Sequence, residues 1–395
     1  MMSDCPHLST RGGRQSLEPP KTLTSSKFTS PKVTLVLVYH HFARPLLFKF
    51  DPEHIHDLTM GLLSYLAERP SLLSWVTSRL PVSDDRLRTQ VMGLDFPNPV
   101  GLAAGLDKNG LAIPVWAALG FGTIELGSVT FRGQVGNARP RLFRLPENSA
   151  LINRMGFNNE GSAAIAERLS LLRGSGRWPK IPVGINIGKT KIVPNNLAPK
   201  DYAGAMRVLW SHGDYFVINV SSPNTLRLRE LQATEALESI LKSIHEVRES
   251  RGFKPILIKI APDLEPGRVE EIAELAHKHA LDGIIATNTT VTRPGTTKNL
   301  NEAGGLSGKP LSELSLQTLR TLASISDLPI ISVGGIFSAE DAYDRFAAGA
   351  SLIQGYTAFV FHGPTWVCDI NQGLIKLLNR DGYKNLTELR KSKAK

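Results

Sequence analysis

The sequence predicts a (β/α)8 barrel preceded by an apolar helical extension. Eight short apolar runs recur between residues 98 and 358, and helix-length amphipathic stretches separate several of them. The runs are nearly continuous in Val, Ile and Leu, as strands of a parallel sheet buried on both faces require. Eight β/α units fit a closed barrel better than a doubly wound open sheet, which usually holds about five to seven strands. A length of 395 residues suits one barrel with extra segments, and 42% hydrophobic content is enough for its core.

Taken in order, residues 1–30 are rich in Ser, Thr, Lys, Arg and Pro and show no apolar periodicity. A disordered terminus and an organelle transit segment both fit, although Asp4 and Glu18 are untypical of the second. Residues 42–80 differ. Phe42, Leu46, Leu47, Phe48 and Phe50 precede a stretch in which Ile55, Leu58, Leu62 and Leu66 recur at helical spacing, with Met60, Leu63 and Tyr65 widening the apolar surface. Pro70 breaks that helix, and a second run carries Leu72, Leu73, Trp75, Val76 and Leu80. Two such helices either pack on the domain that follows or lie in a membrane interface at the mouth of a lipophilic pocket. The expected division is 1–30, an arm over 31–82, and the barrel over 83–395. Its strands are expected at 98–104, 123–129, 182–188, 215–221, 255–261, 283–290, 329–335 and 352–358, with helices over 231–250, 267–279 and 339–348.

A net charge of +10 suits nucleic acid, an anionic membrane, or an anionic substrate and cofactor. The most basic stretch is the short tail Arg390–Lys395, and no Lys/Arg run is interleaved with aromatics, which argues against nucleic acid. The longest apolar candidate for a span, Val33–Tyr39, falls far short of the roughly 18 residues needed to cross a bilayer. Cys5 and Cys368 supply neither a disulfide framework nor a metal cluster, so no metal is expected.

In this fold the site is built at the C-terminal ends of the strands. Polar residues collect there. The first strand ends in Ala103-Ala104-Gly105 and leads to Lys108, and the second ends near Ser128. Asn186 lies on the third and Asn219 on the fourth, followed by Ser221 and Ser222. Lys259 closes the fifth, Thr287, Asn288 and Thr289 the sixth, Gly334-Gly335 the seventh, and Gly355-Tyr356-Thr357 the eighth. Amides and lysines at the ends of apolar strands are costly to bury unless a ligand satisfies them. The glycines after strands seven and eight, with Gly304–Gly308 and the helix starting near Ser338, predict a phosphate cradle. In Asn219–Thr225, Pro223 stiffens a segment that is either an ordinary turn or a set of aimed polar groups.

Several segments are specific together: Gly101–Asn109, Pro140–Pro146, Ile152–Asn159, Gly184–Lys189, Asn219–Thr225, Thr287–Thr290 and Gly304–Gly308. In this order and on these strands the chain resembles the dihydroorotate dehydrogenases over about residues 42–380. The resemblance implies one FMN per chain and oxidation of (S)-dihydroorotate to orotate in pyrimidine synthesis, with a ubiquinone-type membrane quinone reoxidising the flavin. It implies that Ser222 is the base at C5 while C6 gives hydride to FMN. The soluble class of the family has cysteine at that position, so serine here, together with the 42–80 segment, points to the membrane class. A serine hydroxyl is a weak base unless its proton moves onward, through water or Thr225.

The same resemblance places Lys108, Asn153, Phe157, Asn219, Asn224, Asn288 and Thr289 around the pyrimidine. It places Ala104, Gly105, Lys108, Ser128, Asn186, Asn219, Lys259, Thr287, Gly308, Gly335, Tyr356 and Thr357 around FMN. His56, Arg144 and Tyr356 are similar to the polar end of the family's quinone tunnel. The chain is expected to act as a monomer bound peripherally to the mitochondrial inner membrane, or to a bacterial one if residues 1–30 are no transit segment. Two other readings remain open: a different FMN barrel acting on dihydropyrimidine or dihydrouridine, and a flavin-binding barrel without catalysis.

Overall fold

A computed structural model describes residues 31–225, 227–295 and 302–393 of the protein. Residues 1–30, including Cys5 and the expected transit segment, lie outside the described residues.

Eight parallel strands close into a barrel: β1 (Val100–Leu102), β2 (Thr123–Val129), β3 (Val183–Ile187), β4 (Tyr215–Asn219), β5 (Ile256–Ile260), β6 (Gly283–Ala286), β7 (Ile330–Val333) and β8 (Leu352–Gly355). Each pairs with its sequence neighbour, and β8 closes on β1 through Gln354 opposite Gly101. The β2–β5 strands are buried at every position, which explains why they read as unbroken apolar runs. Helices Thr234–Arg251, Arg268–Lys278, Ser312–Ile325 and Ala339–Ala347 pack their apolar stripes on the outside. The hairpin Thr89–Val91 and Leu94–Phe96 plugs one end, where Val91 and Phe96 join Tyr215, Leu257, Ile285, Ile331 and Leu352 in a separate core cluster.

Two features differ from the expected elements. The sixth strand stops at Ala286 rather than Thr290, because Thr287, Asn288 and Thr289 turn into the mouth and only Thr290 bridges again, to Leu306. An antiparallel sheet of Leu142–Leu145, Ala150–Asn153 and Gly305–Gly308 stands beside the mouth. Gly305–Gly308 pairs with Ala150–Asn153 across about 150 residues of sequence, so no local pattern announces the sheet's third strand.

The N-terminal arm opens as α1 (Pro31–Val38), continues through a π turn (Tyr39–Ala43) and a helical turn (Arg44–Leu47), and is followed by α2 (Pro52–Ala67) and α3 (Pro70–Thr77). Asp51 caps α2 by accepting from the His54 N–H at 2.8 Å. Pro70, which ends the periodic pattern, sits in the first turn of α3, where its missing N–H costs nothing. Met60 and Ala67 face the barrel, whereas Leu58, Leu62, Tyr65, Leu72 and Trp75 face outward. Among the described residues no helix is long and apolar enough to cross a membrane.

Candidate active site

A cavity of about 1140 Å³, counting the space that opens to solvent, occupies the C-terminal mouth of the barrel. Its wall includes Ala104, Gly105, Lys108, Ser128, Asn153, Phe157, Asn219, Ser222, Asn224, Lys259, Thr287, Asn288, Thr289, Gly308, Gly335, Tyr356 and Thr357. Nearly every expected site residue is therefore gathered in one place.

The asparagines are aimed by one another. Asn219 Nδ2 donates to Ser128 Oγ at 2.9 Å and to Asn186 Oδ1 at 3.1 Å, while its Oδ1 accepts from the Ser221 N–H at 3.2 Å. Asn288 Nδ2 donates to Ser221 Oγ at 3.0 Å, and Asn224 Nδ2 donates to Asn153 Oδ1 at 3.0 Å. Ser222 Oγ accepts from the Asn224 N–H at 3.3 Å and lies 6% exposed. The hydroxyl of Thr225 and the Oδ1 of Asn224 are buried without a hydrogen-bond partner in the protein. Buried acceptors left so are costly, and a polar ligand would satisfy them.

Phe157 holds φ at 56°, a left-handed conformation uncommon for a bulky residue. Its ring lies over Gly188, where an added Cβ would come within 2.7 Å of it. A residue kept there beside a cavity marks a position that the surroundings over-determine. Burial drives the Lys108 ammonium pKa down to about 8, against the pull of Asp57 and Glu53. Burial likewise pushes the Tyr356 phenol up to about 12, so it stays a neutral hydroxyl.

Asn186 is the exception to the cavity set. It lies one layer down, donating from Nδ2 to Glu125 at 2.8 Å and accepting on Oδ1 from Ser128 and Asn219, so it supports the floor. Glu125, not foreseen as a site residue, is fully buried there and accepts from Gln354 Nε2 at 2.6 Å and Lys259 Nζ at 3.4 Å. Its signal was in the sequence: a carboxylate in the middle of an apolar strand. Arg229 was also missed. It donates to the Ser221 carbonyl at 3.1 Å and the Thr289 carbonyl at 3.0 Å, joining two loops of the mouth, and pairs with Asp263 at 3.0 Å.

The phosphate cradle needs one correction. The helix after β7 is closed by its own capping box, in which Ser338 Oγ accepts from Asp341 N and the Asp341 carboxylate takes the N–H groups of Phe337 and Ser338. A carboxylate already occupies that N-terminus, so it is not the anion site. The groups that remain at the cavity are the backbone of Gly334, Gly335 and Gly308 and the turn through Tyr356, Thr357 and Ala358. Gly335 has φ +71°, and a Cβ there would lie 2.6 Å from the Ser312 nitrogen, so only glycine fits.

Of the three residues expected at a quinone tunnel, Tyr356 lines the cavity beside Gly105. His56 Nε2 is 2.9 Å from the Leu106 carbonyl, one residue further along the chain. Arg144 donates to the carbonyls of Phe48 and Phe50 at 3.2 and 3.0 Å, and its guanidinium sits 4.8 Å from the Phe48 ring centre. It thereby ties the arm to the antiparallel sheet.

A closed α/β barrel with its polar groups converging on one deep cavity at the C-terminal mouth is the framework of a barrel enzyme. The chain belongs to the dihydroorotate dehydrogenase family, whose model matches residues 86–378. It is 47% identical over 369 residues to the dihydroorotate dehydrogenase (quinone) of Nostoc punctiforme, covering 89% of this chain and 97% of that one. It is also 47% identical over 348 residues to the enzyme of that name from Thermus thermophilus, covering 88% and 99%. Among solved structures, the ligand-free DHODH of Eimeria tenella matches with a TM-score of 0.79 at 35% identity, covering 86% of this chain and 98% of that one. The DHODH of Eimeria tenella in complex with ferulenol matches with a TM-score of 0.77 at 34% identity, covering 86% and 94%.

Proposed function

We propose that this protein oxidises dihydroorotate to orotate in pyrimidine biosynthesis, using FMN as resident cofactor and a membrane quinone as final acceptor. The observation that carries the reading is the convergence of Ser222, Lys108 and the Asn153, Asn219, Asn224 and Asn288 amides on one cavity. Family membership and the quinone enzymes among its relatives agree with it.

The site fits FMN on its own features. Gly335 and Gly308, both at positive φ, pack closely on Ser312 and Ser149 and line the cavity with bare backbone, which suits N–H contact with a phosphate. Ser128, Asn219, Lys259 and Thr287 line the same cavity with polar groups, among which the Lys259 ammonium keeps protons to spare for a flat heterocycle rich in acceptors, and Asn186 fixes Ser128 and Asn219 from below. Bound FMN would supply the hydride acceptor and hand the electron pair to the quinone.

On the substrate side the chain's own groups divide the work. The Lys108 ammonium offsets the substrate carboxylate, and the asparagine amides both donate to and accept from the pyrimidine edge. Phe157 walls the pocket from water. Ser222 Oγ takes the C5 proton as the C6 hydride departs and the C5=C6 bond forms. The buried Thr225 hydroxyl, three residues on, is the group available to carry that proton further.

The division into an arm over residues 31–82 and a barrel over 83–395 belongs to the same reading. The outward apolar residues of α2 and α3 and the arginines stacked on them, Arg69 over Tyr65 at 4.4 Å and Arg79 over Trp75 at 4.5 Å, suit a membrane interface. His56, Arg144 and Tyr356 would then lie along the quinone's path from that interface to the cavity. The quinone enzymes compared above are bacterial, and give no support to a mitochondrial address.

Purified protein in mild detergent tests the reading, with dihydroorotate and a short-chain ubiquinone analogue, and fumarate or NAD+ in parallel. Turnover with quinone alone is expected. Turnover only with fumarate or NAD+ would retain the substrate and refute the quinone, and no turnover with any acceptor would refute the reaction.

A further inference from the structure

A chain of hydrogen bonds, buried at its Glu53–Arg141 end, runs from the N-terminal arm to the two asparagines whose side chains meet in the cavity. It starts at Glu53 on α2, which is 3% exposed. Its carboxylate holds the Arg141 guanidinium through Nη2 at 2.8 Å and Nε at 3.1 Å, and takes Arg139 Nη2 at 3.0 Å. The remaining nitrogen of Arg141, Nη1, donates to the carbonyls of Val135 at 2.6 Å and Asn137 at 2.7 Å. A planar fork with every nitrogen engaged fixes the 135–141 loop against the arm.

Asn137 is the next link. Its backbone N–H donates to the Met155 carbonyl at 3.0 Å. Its Nδ2 donates to two carbonyls, Arg154 and Asn224, each at 2.9 Å. Its Oδ1 accepts from Lys191 Nζ at 2.8 Å. The side chain lies against Gly156, where an added Cβ would come within 2.7 Å of Asn137 Cγ. The two hydrogens of one amide therefore join the backbone just after Asn153 to the backbone of Asn224, while those residues' own side chains meet at 3.0 Å inside the cavity. The spacing of that pair is set from behind by Asn137.

We infer that Asn137 is a positioning residue for the substrate, and that the Glu53–Arg141 pair latches it to the arm. The inference rests on the reading that Asn153 and Asn224 hold dihydroorotate. Its consequence is that the arm acts on substrate affinity as well as on quinone access. A loosened latch lets the 135–141 loop move, and the facing amides lose their fixed spacing.

The test uses the full-length, FMN-loaded enzyme and reads orotate affinity by titration calorimetry, alongside the rate of flavin reoxidation by quinone. Asn137→Ala is expected to weaken orotate about tenfold, the worth of one or two hydrogen bonds, with reoxidation unchanged. Glu53→Gln, which keeps the side-chain shape, is expected to weaken orotate as well. The double variant should lose little beyond the larger single effect, because both act through one path. Orotate affinity within twofold of the wild type in Asn137→Ala overturns the positioning role. Fully additive losses, or a Glu53→Gln variant altered in quinone kinetics alone, overturn the latch. Should Asn137→Ala fail to fold, Glu53→Gln decides by the same comparison. A wild-type enzyme that neither binds orotate nor is reduced by dihydroorotate overturns the reading beneath, and the inference with it.

Discussion

Glu125 and Lys259 meet inside the barrel, Oε1 to Nζ at 3.4 Å, with the carboxylate fully buried and the lysine 5% exposed. The lysine lines the cavity, and the carboxylate below it is shared with Asn186 and Gln354. Removing one member of such a pair leaves an uncompensated charge in a low-dielectric interior, a loss of about 3–5 kcal/mol. Glu125→Leu should therefore unfold at markedly lower denaturant, with a cost in that range. Glu125→Gln keeps the shape and an acceptor for Asn186 or Gln354 but also leaves Lys259 unpaired, so it should retain most of that cost. A Glu125→Gln protein as stable as the wild type by denaturant titration would remove the charge from the account.

Lys108 makes substrate affinity pH-dependent. Its amine loses its proton as pH rises through about 8, so attraction for a carboxylate is present below that pH and lost above it. The KM for dihydroorotate should be flat below pH 8 and rise above it by at most about tenfold per pH unit. Stability runs the other way. Between pH 8 and the ordinary lysine range the unfolded chain binds more protons than the folded one, so folding gains as pH rises. Lys108→Met should flatten both profiles, and a KM profile unchanged by that substitution would exclude Lys108 as the titrating group.

Gly335→Ala places a Cβ against the Ser312 backbone at a φ of +71°. The backbone must shift where the phosphate of FMN is proposed to sit. Protein purified with this substitution should carry much less flavin per chain, read from the visible absorbance against that at 280 nm. Full flavin content would place the phosphate elsewhere.

The outward residues Leu58, Leu62 and Trp75 belong to the proposed membrane face. Changing all three to serine should sharply lower binding to anionic vesicles and raise the KM for a long-chain quinone. Reduction of bound flavin by dihydroorotate should be untouched, because none of the three lines the cavity. Undiminished vesicle binding in a flotation assay would show that the arm is not what holds the membrane.

Much of this was legible in the sequence, for physical reasons that also mark its limits. Strands buried on both faces, such as Val183–Ile187 and Ile256–Ile260, must be apolar throughout, and amides at their ends stand out against that background. Glu125 carries the same kind of signal, a lone charge inside the apolar run Thr123–Val129. Asn137 carried none: a Gly-Asn-Ala-Arg-Pro stretch reads as a turn, and its importance lies in carbonyls 17 and 87 residues away. The Ser338 capping box is written locally as Ser followed three residues later by Asp, a pattern that closes the helix N-terminus to an outside anion. Asn186 lies on the expected strand beneath the cavity wall, and strand position alone does not separate wall from floor.

The most direct measurement is anaerobic bleaching of the bound flavin by dihydroorotate, compared between the wild-type protein and Ser222→Ala. The wild type should bleach rapidly. The variant should keep its flavin and its orotate affinity while bleaching at least about a hundredfold more slowly, as loss of a general base requires. Bleaching of Ser222→Ala at the wild-type rate would contradict the assignment of Ser222 and the chemistry built on it.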